Sequence, residues 1–391
     1  MTSPRFAARA LALSLTLIAA GALGVAGAAA PAPAATVSHV SPTTIRTPVG
    51  GQQLAARGVI VNLKRGVPRP PVMPGASFLL ADMDTGQILV AKAPHAAHLP
   101  ASTLKTLTAL TLIPLLNINT KIVVKPQDVQ VDGTRLGIVP GTSYAAGTLL
   151  QGMLMASGND TAYALARGNR SITRTLAAMN AKAAEIGALD TVAKDPSGLD
   201  ARGQQTSAYD LALIGRAAMA LPTFRNYVGT RHITLSGGRT ANGKRRAGFQ
   251  ISNHNTLLLN YADAIGIKNG FTRAAKFTYV EAATRGGKTY LLTEMASPSG
   301  SWRPAAALLD WAFAHGSALT PVGELVVPVT EVPPKPTQAR VVARPTIQAL
   351  PAAPRESAGP GFPNWIGVVG GIGALALIAA WVGRNAPRKR Y

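Results

Sequence analysis

Strand and helix patterns in this chain are grouped along the sequence, and that grouping sets the class of fold it can reach. Two apolar runs, Ser77 to Met83 and Gln87 to Lys92, flank Asp84-Thr85-Gly86, a turn signal between strands. Strand-like runs return only late in the chain, as Arg231 to Leu235, Ala264 to Lys268, Phe277 to Thr284 and Lys288 to Ala296, the last two joined across Arg285-Gly286-Gly287. Between the two groups the pattern is helical. Leu104, Leu107 and Leu110 repeat at helical spacing up to Pro114, and Leu149 to Met155, Thr161 to Ala166 and Ser207 to Ala220 make a helix-rich middle. A last amphipathic helix, Trp302 to His315, shows Leu308, Leu309, Trp311 and Ala312 on one face. Strictly alternating elements would build a doubly wound parallel sheet. Grouped ones predict an α+β fold, an antiparallel sheet of about five strands beside a helical subdomain.

The two ends of the 391 residues are not core. Residues 1–30 carry Arg5 and Arg9, an apolar run from Ala10 to Val25 and then Ala28-Ala29-Ala30, the order of a secretory signal peptide. Residues 31–74 are rich in Ala and Pro and read as a linker with at most one short strand near Gly58 to Leu63. Residues 75–318 remain for one globular domain, and 319–364 form a Pro-rich stalk. Residues 365–383, Trp365 to Gly383, are 19 residues without a charge, and at 1.5 Å rise a helix of that length reaches about 28 Å, enough to span a bilayer. Arg384, Arg388, Lys389 and Arg390 follow in the tail 384–391, so the expected topology is a single pass with the domain outside and the C-terminus in the cytoplasm.

The formal net charge is +22, which favours anionic partners. In an exported protein those are lipid heads, wall polymers or carboxylate-bearing substrates, and no nucleic-acid partner is expected. Residues 201–250 hold eight basic side chains against Asp210 alone and read as a solvated basic face. The absence of cysteine excludes disulfides, thiolate catalysis and cysteine-ligated metal. The six histidines show no His-Glu-x-x-His spacing, so neither a metal nor another cofactor is expected.

Three short segments carry chemistry: Ser102-Thr103-Leu104-Lys105, Ser157-Gly158-Asn159 and Lys268-Asn269-Gly270, whose first residues are 55 and 111 positions apart. Pro100 suits a first helical turn, so Ser102 starts a helix on which Lys105, three residues on, shares its face. A serine needs an adjacent base, and a lysine serves as one if burial or a neighbouring cation, here Lys268, lowers its pKa. Ser157 and Asn159 follow an apolar helix at a tight Gly-containing loop. Lys268 sits at the end of a strand-like run, where a cation can bind a terminal carboxylate, and Gly270 lets a substrate backbone come close.

In this order the segments resemble the S-x-x-K, S-x-N and K-T-G boxes of penicillin-binding proteins and serine β-lactamases, with Asn269 in place of the usual threonine. Asp195-Pro196-Ser197-Gly198-Leu199-Asp200, Thr206 to Asp210 and Asn253-His254-Asn255 make the chain similar to the low-molecular-weight D-alanyl-D-alanine carboxypeptidases over about Ser77 to Phe313. The resemblance implies a β-lactamase/transpeptidase-like fold with the active site at the junction of sheet and helices. It implies catalysis by Ser102, Lys105 and Ser157, with Ser102 as nucleophile, Lys105 as its base and Ser157 relaying a proton to the leaving amine. Substrate binding falls to Asn159, Lys268, Asn269, Gly270, Phe271 and Thr272, with the N–H groups of Ser102 and Phe271 forming the oxyanion hole. The implied partners are a peptidoglycan stem peptide ending in D-Ala-D-Ala and β-lactams as covalent inhibitors. Two alternatives stay open: a β-lactamase or transpeptidase on the same fold, and a catalytically weak wall-binding module. Between the second and third boxes no Glu-x-x-Leu-Asn occurs, the segment that supplies the deacylating base in class A β-lactamases.

Overall fold

The computed structural model describes residues 48–326. The expected signal peptide, membrane span and basic tail lie outside the described residues, as do the first part of the linker and most of the stalk. Among the described residues no helix is long and apolar enough to cross a membrane.

In chain order the elements are β1 (Val59–Val61), β2 (Ser77–Asp82), β3 (Gln87–Lys92), a 3-10 turn (Ala101–Leu104) running into α1 (Lys105–Leu115), β4 (Lys121–Val123), α2 (Pro126–Val129), β5 (Ser143–Ala145), α3 (Ala146–Met155), α4 (Asn159–Gly168), α5 (Ile172–Glu185), α6 (Ala208–Met219) and α7 (Pro222–Gly229). They continue with β6 (His232–Leu235), β7 (Phe249–Ser252), α8 (Thr256–Asn260), β8 (Ala264–Thr272), β9 (Lys276–Arg285), β10 (Lys288–Ser297), α9 (Arg303–His315) and β11 (Gly323–Glu324). The grouping read from the sequence is thus the grouping of the fold: one antiparallel sheet, ordered β1-β3-β2-β10-β9-β8, with a helical cluster between its two halves.

The sheet has seven strands where about five were expected. The additions come from outside the expected 75–318 domain: β1 pairs with Val90 to Lys92 of β3, and β11 pairs with Gln87 and Ile88. Without them β3 would present a free row of N–H and C=O groups to water. Leu54, Met73, Val322 and Leu325 are buried beside these two strands, so the end of the linker and the start of the stalk are packed on the domain. The Arg231 to Leu235 strand does form, but it pairs only with β7, in a separate hairpin.

Both faces of the sheet are covered. On β2, Leu79 and Ala81 point into the helical cluster while Phe78 and Leu80 meet Leu308, Leu309 and Trp311 of α9. This is why β2 is buried throughout and shows no polar alternation. Helix α1 lies at the centre of the cluster, buried at every position from Lys105 to Leu112. Each of its buried leucines contributes about 1.5–3 kcal/mol relative to an exposed one. A central helix with no solvent face is the environment that makes a lysine on it chemically unusual.

Candidate active site

Ser102 sits in the 3-10 turn that feeds α1, and Lys105 is the first residue of the helix proper. The spacing of three residues places Lys105 Nζ 2.9 Å from Ser102 Oγ. The same Nζ lies 2.7 Å from Asn159 Oδ1 and 2.7 Å from the carbonyl oxygen of Ser197. Lys105 is 0 % exposed. Burial holds its pKa well below the ordinary lysine value, the nearby charge of Lys268 lowers it further, and Asp195 and Asp160 oppose only in part.

A neutral amine has two N–H bonds and one lone pair. Asn159 Oδ1 and the Ser197 carbonyl can only accept, so they take both N–H bonds of a neutral Lys105. The lone pair is then left facing the Ser102 hydroxyl, which becomes the donor. The three partners therefore fix where the proton of Ser102 can go.

Each partner is itself held. Asn159 opens α4, its Nδ2 donates to the Asp132 carbonyl (2.7 Å) and its N–H to the Thr134 carbonyl (2.8 Å), which fixes the amide with Oδ1 toward the lysine. Asp160 beside it accepts from the N–H groups of Leu136 (2.8 Å), Gly137 (2.8 Å) and Ile138 (3.2 Å), tying the loop 132–138 to the same helix. The Ser197 carbonyl is aimed by Asp195, whose Oδ1 accepts from Ser197 N (2.7 Å), Ser197 Oγ (2.6 Å) and Leu199 N (3.1 Å), while Tyr163 OH donates to its other oxygen. Gly198, at φ +85°, presses on the turn so closely that a Cβ there would lie 1.9 Å from the Ala101 carbonyl oxygen.

The third segment arrives on β8. The sequence reads Lys268 as the end of a strand, whereas β8 continues to Thr272 and carries the whole box. It passes so close to Ser102 that a Cβ on Gly270 would meet Ser102 N at 2.6 Å and Thr278 Oγ1 at 2.6 Å, which explains the glycine. Lys268 is 1 % exposed, its pKa pushed down by burial to about 7. Its Nζ donates to the Asn269 carbonyl at 2.7 Å, with Asn269 Oδ1 at 3.5 Å. His254, whose N–H bonds the Met155 carbonyl, is kept neutral more easily by burial and by the charge of Lys268.

These elements border a cavity of about 360 Å³ lined by Ser102, Gly133, Thr134, Asn159, Gly198, Leu199, Phe271 and Thr272. Of the nine residues expected, Ser102, Asn159, Phe271 and Thr272 line it. Lys105 reaches it through hydrogen bonds, Gly270 through the close approach to Ser102, Lys268 through its charge on Lys105, and Asn269 through Lys268. Ser157 is buried between α3 and α4 with φ 58°. This is a left-handed conformation, which costs a non-glycine residue about 1–3 kcal/mol and clusters at functional loops. No hydrogen bond links Ser157 to Ser102 or Lys105 among the described residues. Sequence reasoning missed the loop wall Gly133–Thr134, which no local pattern marks, and the Ser197 carbonyl, which only the Asp195 turn could have suggested. Among the described residues no group of three or more His, Asp or Glu side chains could hold a metal.

Residues 66–298 match the D-alanyl-D-alanine carboxypeptidase peptidase family. The chain is 40 % identical over 252 residues to the D-alanyl-D-alanine carboxypeptidase DacB2 of Mycobacterium tuberculosis, covering 62 % of this chain and 84 % of the relative. Among solved structures it is similar to a D-alanyl-D-alanine carboxypeptidase of M. tuberculosis H37Rv, with TM-score 0.62 and 38 % identity over 68 % of this chain and 100 % of that one. It is also similar to the Streptomyces K15 DD-transpeptidase, with TM-score 0.60 and 29 % identity over 63 % and 100 % of the two chains. With the fold, the order of the three segments and these matches in agreement, the chain belongs to the D-alanyl-D-alanine carboxypeptidase family.

Proposed function

We propose that the chain hydrolyses the terminal peptide bond of peptidoglycan stem peptides ending in D-Ala-D-Ala, through an acyl-enzyme on Ser102. The observation that carries this reading is the buried Lys105 amine, 2.9 Å from Ser102 Oγ with its two N–H bonds engaged by Asn159 and Ser197. Ser102 Oγ attacks the carbonyl of the penultimate D-alanine and its proton passes to the lone pair of Lys105. The oxyanion that forms is met by the N–H groups of Ser102 and Phe271, and donors of this kind are worth about 10²–10³ in rate each. Ser157 relays that proton from Lys105 to the departing D-alanine amine, which leaves Lys105 neutral again. Lys268 holds the substrate's terminal carboxylate, with Asn269 adding a neutral hydrogen bond, and Thr272 borders the acyl side. Water then hydrolyses the ester and restores Ser102. β-Lactams acylate the same hydroxyl and act as covalent inhibitors.

The apolar residues 365–383 followed by the basic tail tether the domain to the outer face of the cell membrane, after export directed by residues 1–30. Similarity to a protein named a DD-transpeptidase supports a second outcome at the same acyl-enzyme, in which an amine replaces water. Mass spectrometry of diacyl-L-Lys-D-Ala-D-Ala after incubation separates the outcomes. The shortened peptide with a free carboxylate, formed by the wild type and not by Ser102→Ala, supports hydrolysis, a new amide in the presence of an acceptor amine supports transfer, and an unchanged peptide contradicts both.

A further inference from the structure

No Asp or Glu occurs between Asp210 and Asp263, while the same interval carries seven Lys and Arg. Four of the seven, Arg239, Lys244, Arg245 and Arg246, gather at the tip of the β6–β7 hairpin, and all four are exposed. Among the described residues no ion pair involves any of them. The tip is nevertheless built into the fold. Main-chain bonds in both directions join Arg239 to Ser143 of β5, at 2.6 and 2.9 Å, and the N–H of Arg246 donates to the Gly238 carbonyl at 3.0 Å. Gly237 lets the two arms close, since a Cβ there would lie 1.9 Å from the Ala247 carbonyl oxygen. Thr240 seals the turn, its N–H and its hydroxyl both donating to the Lys244 carbonyl, at 3.0 and 3.1 Å.

In that ribbon Arg239 stands directly opposite Arg245. Opposite residues of an antiparallel pair share a face, and like charges there destabilise it. Of the four side chains only Arg239 donates a hydrogen bond among the described residues, to the Gly243 carbonyl at 2.9 Å. A local conflict of charge that the fold leaves uncompensated is expected where a ligand supplies the compensation. Four cations spread along an exposed turn fit a surface of many anions better than one small anion held in a pocket. Lipid phosphates form such a surface. Residues 327–364, 38 in number, separate the described domain from the apolar segment 365–383, and a chain of that length spans at most about 130 Å. Lipid heads are then a polyanion from which the domain cannot diffuse away.

Resting on the membrane tether proposed above, we infer that the tip of the β6–β7 hairpin is a second, electrostatic attachment of the domain to the membrane, with Arg239, Lys244, Arg245 and Arg246 bound to the phosphates of anionic lipid heads. Each such side chain at an anionic surface adds about fivefold to the binding, and salt screens it. No residue of the tip lines the Ser102 cavity, so attachment and turnover are separable.

The chain has no cysteine, so Ala241→Cys places a single fluorophore at the tip. The labelled full chain is reconstituted into phosphatidylcholine vesicles, with or without phosphatidylglycerol, whose lipid heads carry a spin label as quencher. Quenching rises about fivefold or more when phosphatidylglycerol is present and falls back in high salt. Arg239→Gln, Lys244→Gln, Arg245→Gln and Arg246→Gln together abolish that rise, while the same variant releases D-alanine from a soluble peptide at the wild-type rate. Equal quenching in the two lipid compositions, or quenching that the four substitutions leave unchanged, overturns the inference. So does a response of the fluorophore to soluble polyphosphate with no quenching in anionic vesicles, which assigns the tip to a wall polymer instead. Flotation with phosphatidylcholine vesicles in high salt reads the anchor by itself. A chain that washes off contradicts the tether proposed above, and quenching by added phosphatidylglycerol vesicles then still decides the role of the hairpin.

Discussion

Asn159→Asp places a carboxylate where an amide oxygen now accepts from Lys105 at 2.7 Å, with no change of side-chain shape. If Lys105 works as a neutral base, this near-isosteric change should stop acylation at neutral pH. A unit charge pair at 2.7 Å with an effective dielectric constant of 20 attracts by about 6 kcal/mol. Keeping a further charge at a site only 3 % exposed costs several kcal/mol in return, so about 2–3 kcal/mol should remain to hold the lysine protonated. The direction follows from the role: a base acts only when deprotonated, so acylation is lost as pH falls through the Lys105 pKa, and raising that pKa moves the acid limb upward. At 1.36 kcal/mol per pH unit the limb should move up by about two units, leaving about a hundredfold less neutral lysine at a given pH below it. The assay is the second-order rate of penicillin acylation from pH 5 to 10, with melting temperature as the check on folding. An acid limb in the same place as in the wild type, on a folded variant, would refute the assignment of Lys105 as the base.

Gly270→Ala sets a Cβ 2.6 Å from Ser102 N; displacement of β8 by about an ångström should lower kcat/KM by about a hundredfold, measured as D-alanine release, and near-normal turnover would show that the close approach is not needed. Lys268→Ala should lose more in kcat/KM than Asn269→Ala, since charged hydrogen bonds contribute about 1.5–3 kcal/mol and neutral ones about 0.5–1.5; an equal loss on a substrate whose terminal carboxylate is amidated would remove carboxylate binding from the role of Lys268. On β9 and β10, burial raises the pKa of Glu281 to about 8, helped by the charge of Glu294, and burial raises Glu294 to about 7. A carboxyl raised in the folded state holds its proton while the unfolded chain has lost it, so stability is fullest below about pH 4.5 and declines up to about pH 8. Thermal melts should show that decline, and Glu281→Gln, which keeps a neutral group at a site where Glu281 Oε2 has no hydrogen-bond partner, should flatten it; an unchanged slope would place the titration elsewhere.

What could be read in the sequence was what depends on local spacing. The Ser102–Lys105 pair follows from helical geometry alone, and the strands β2, β3, β9 and β10 from strand-like runs between turn signals. What could not be read depends on distant partners. β8 is longer than its apolar run because Lys268 is buried by the helical cluster and Gly270 by Ser102, so a charge and a glycine stand where a strand pattern would end. β1 forms within the short strand expected near Gly58 to Leu63, whereas β11 has only two residues and exists because β3 has an edge to cover. The contact from the Ser197 carbonyl is a main-chain group carried by a turn that Asp195 folds, and main-chain carbonyls leave no mark in a sequence.

The central claim is that the hydroxyl of Ser102 is the nucleophile of this cleft. Incubation with benzylpenicillin, proteolysis and tandem mass spectrometry locate the acyl group directly. A single stoichiometric adduct is expected on the peptide containing Ser102, none in Ser102→Ala, and near loss in Lys105→Ala; an adduct on any other residue, or undiminished labelling of Ser102→Ala, would contradict the role of Ser102.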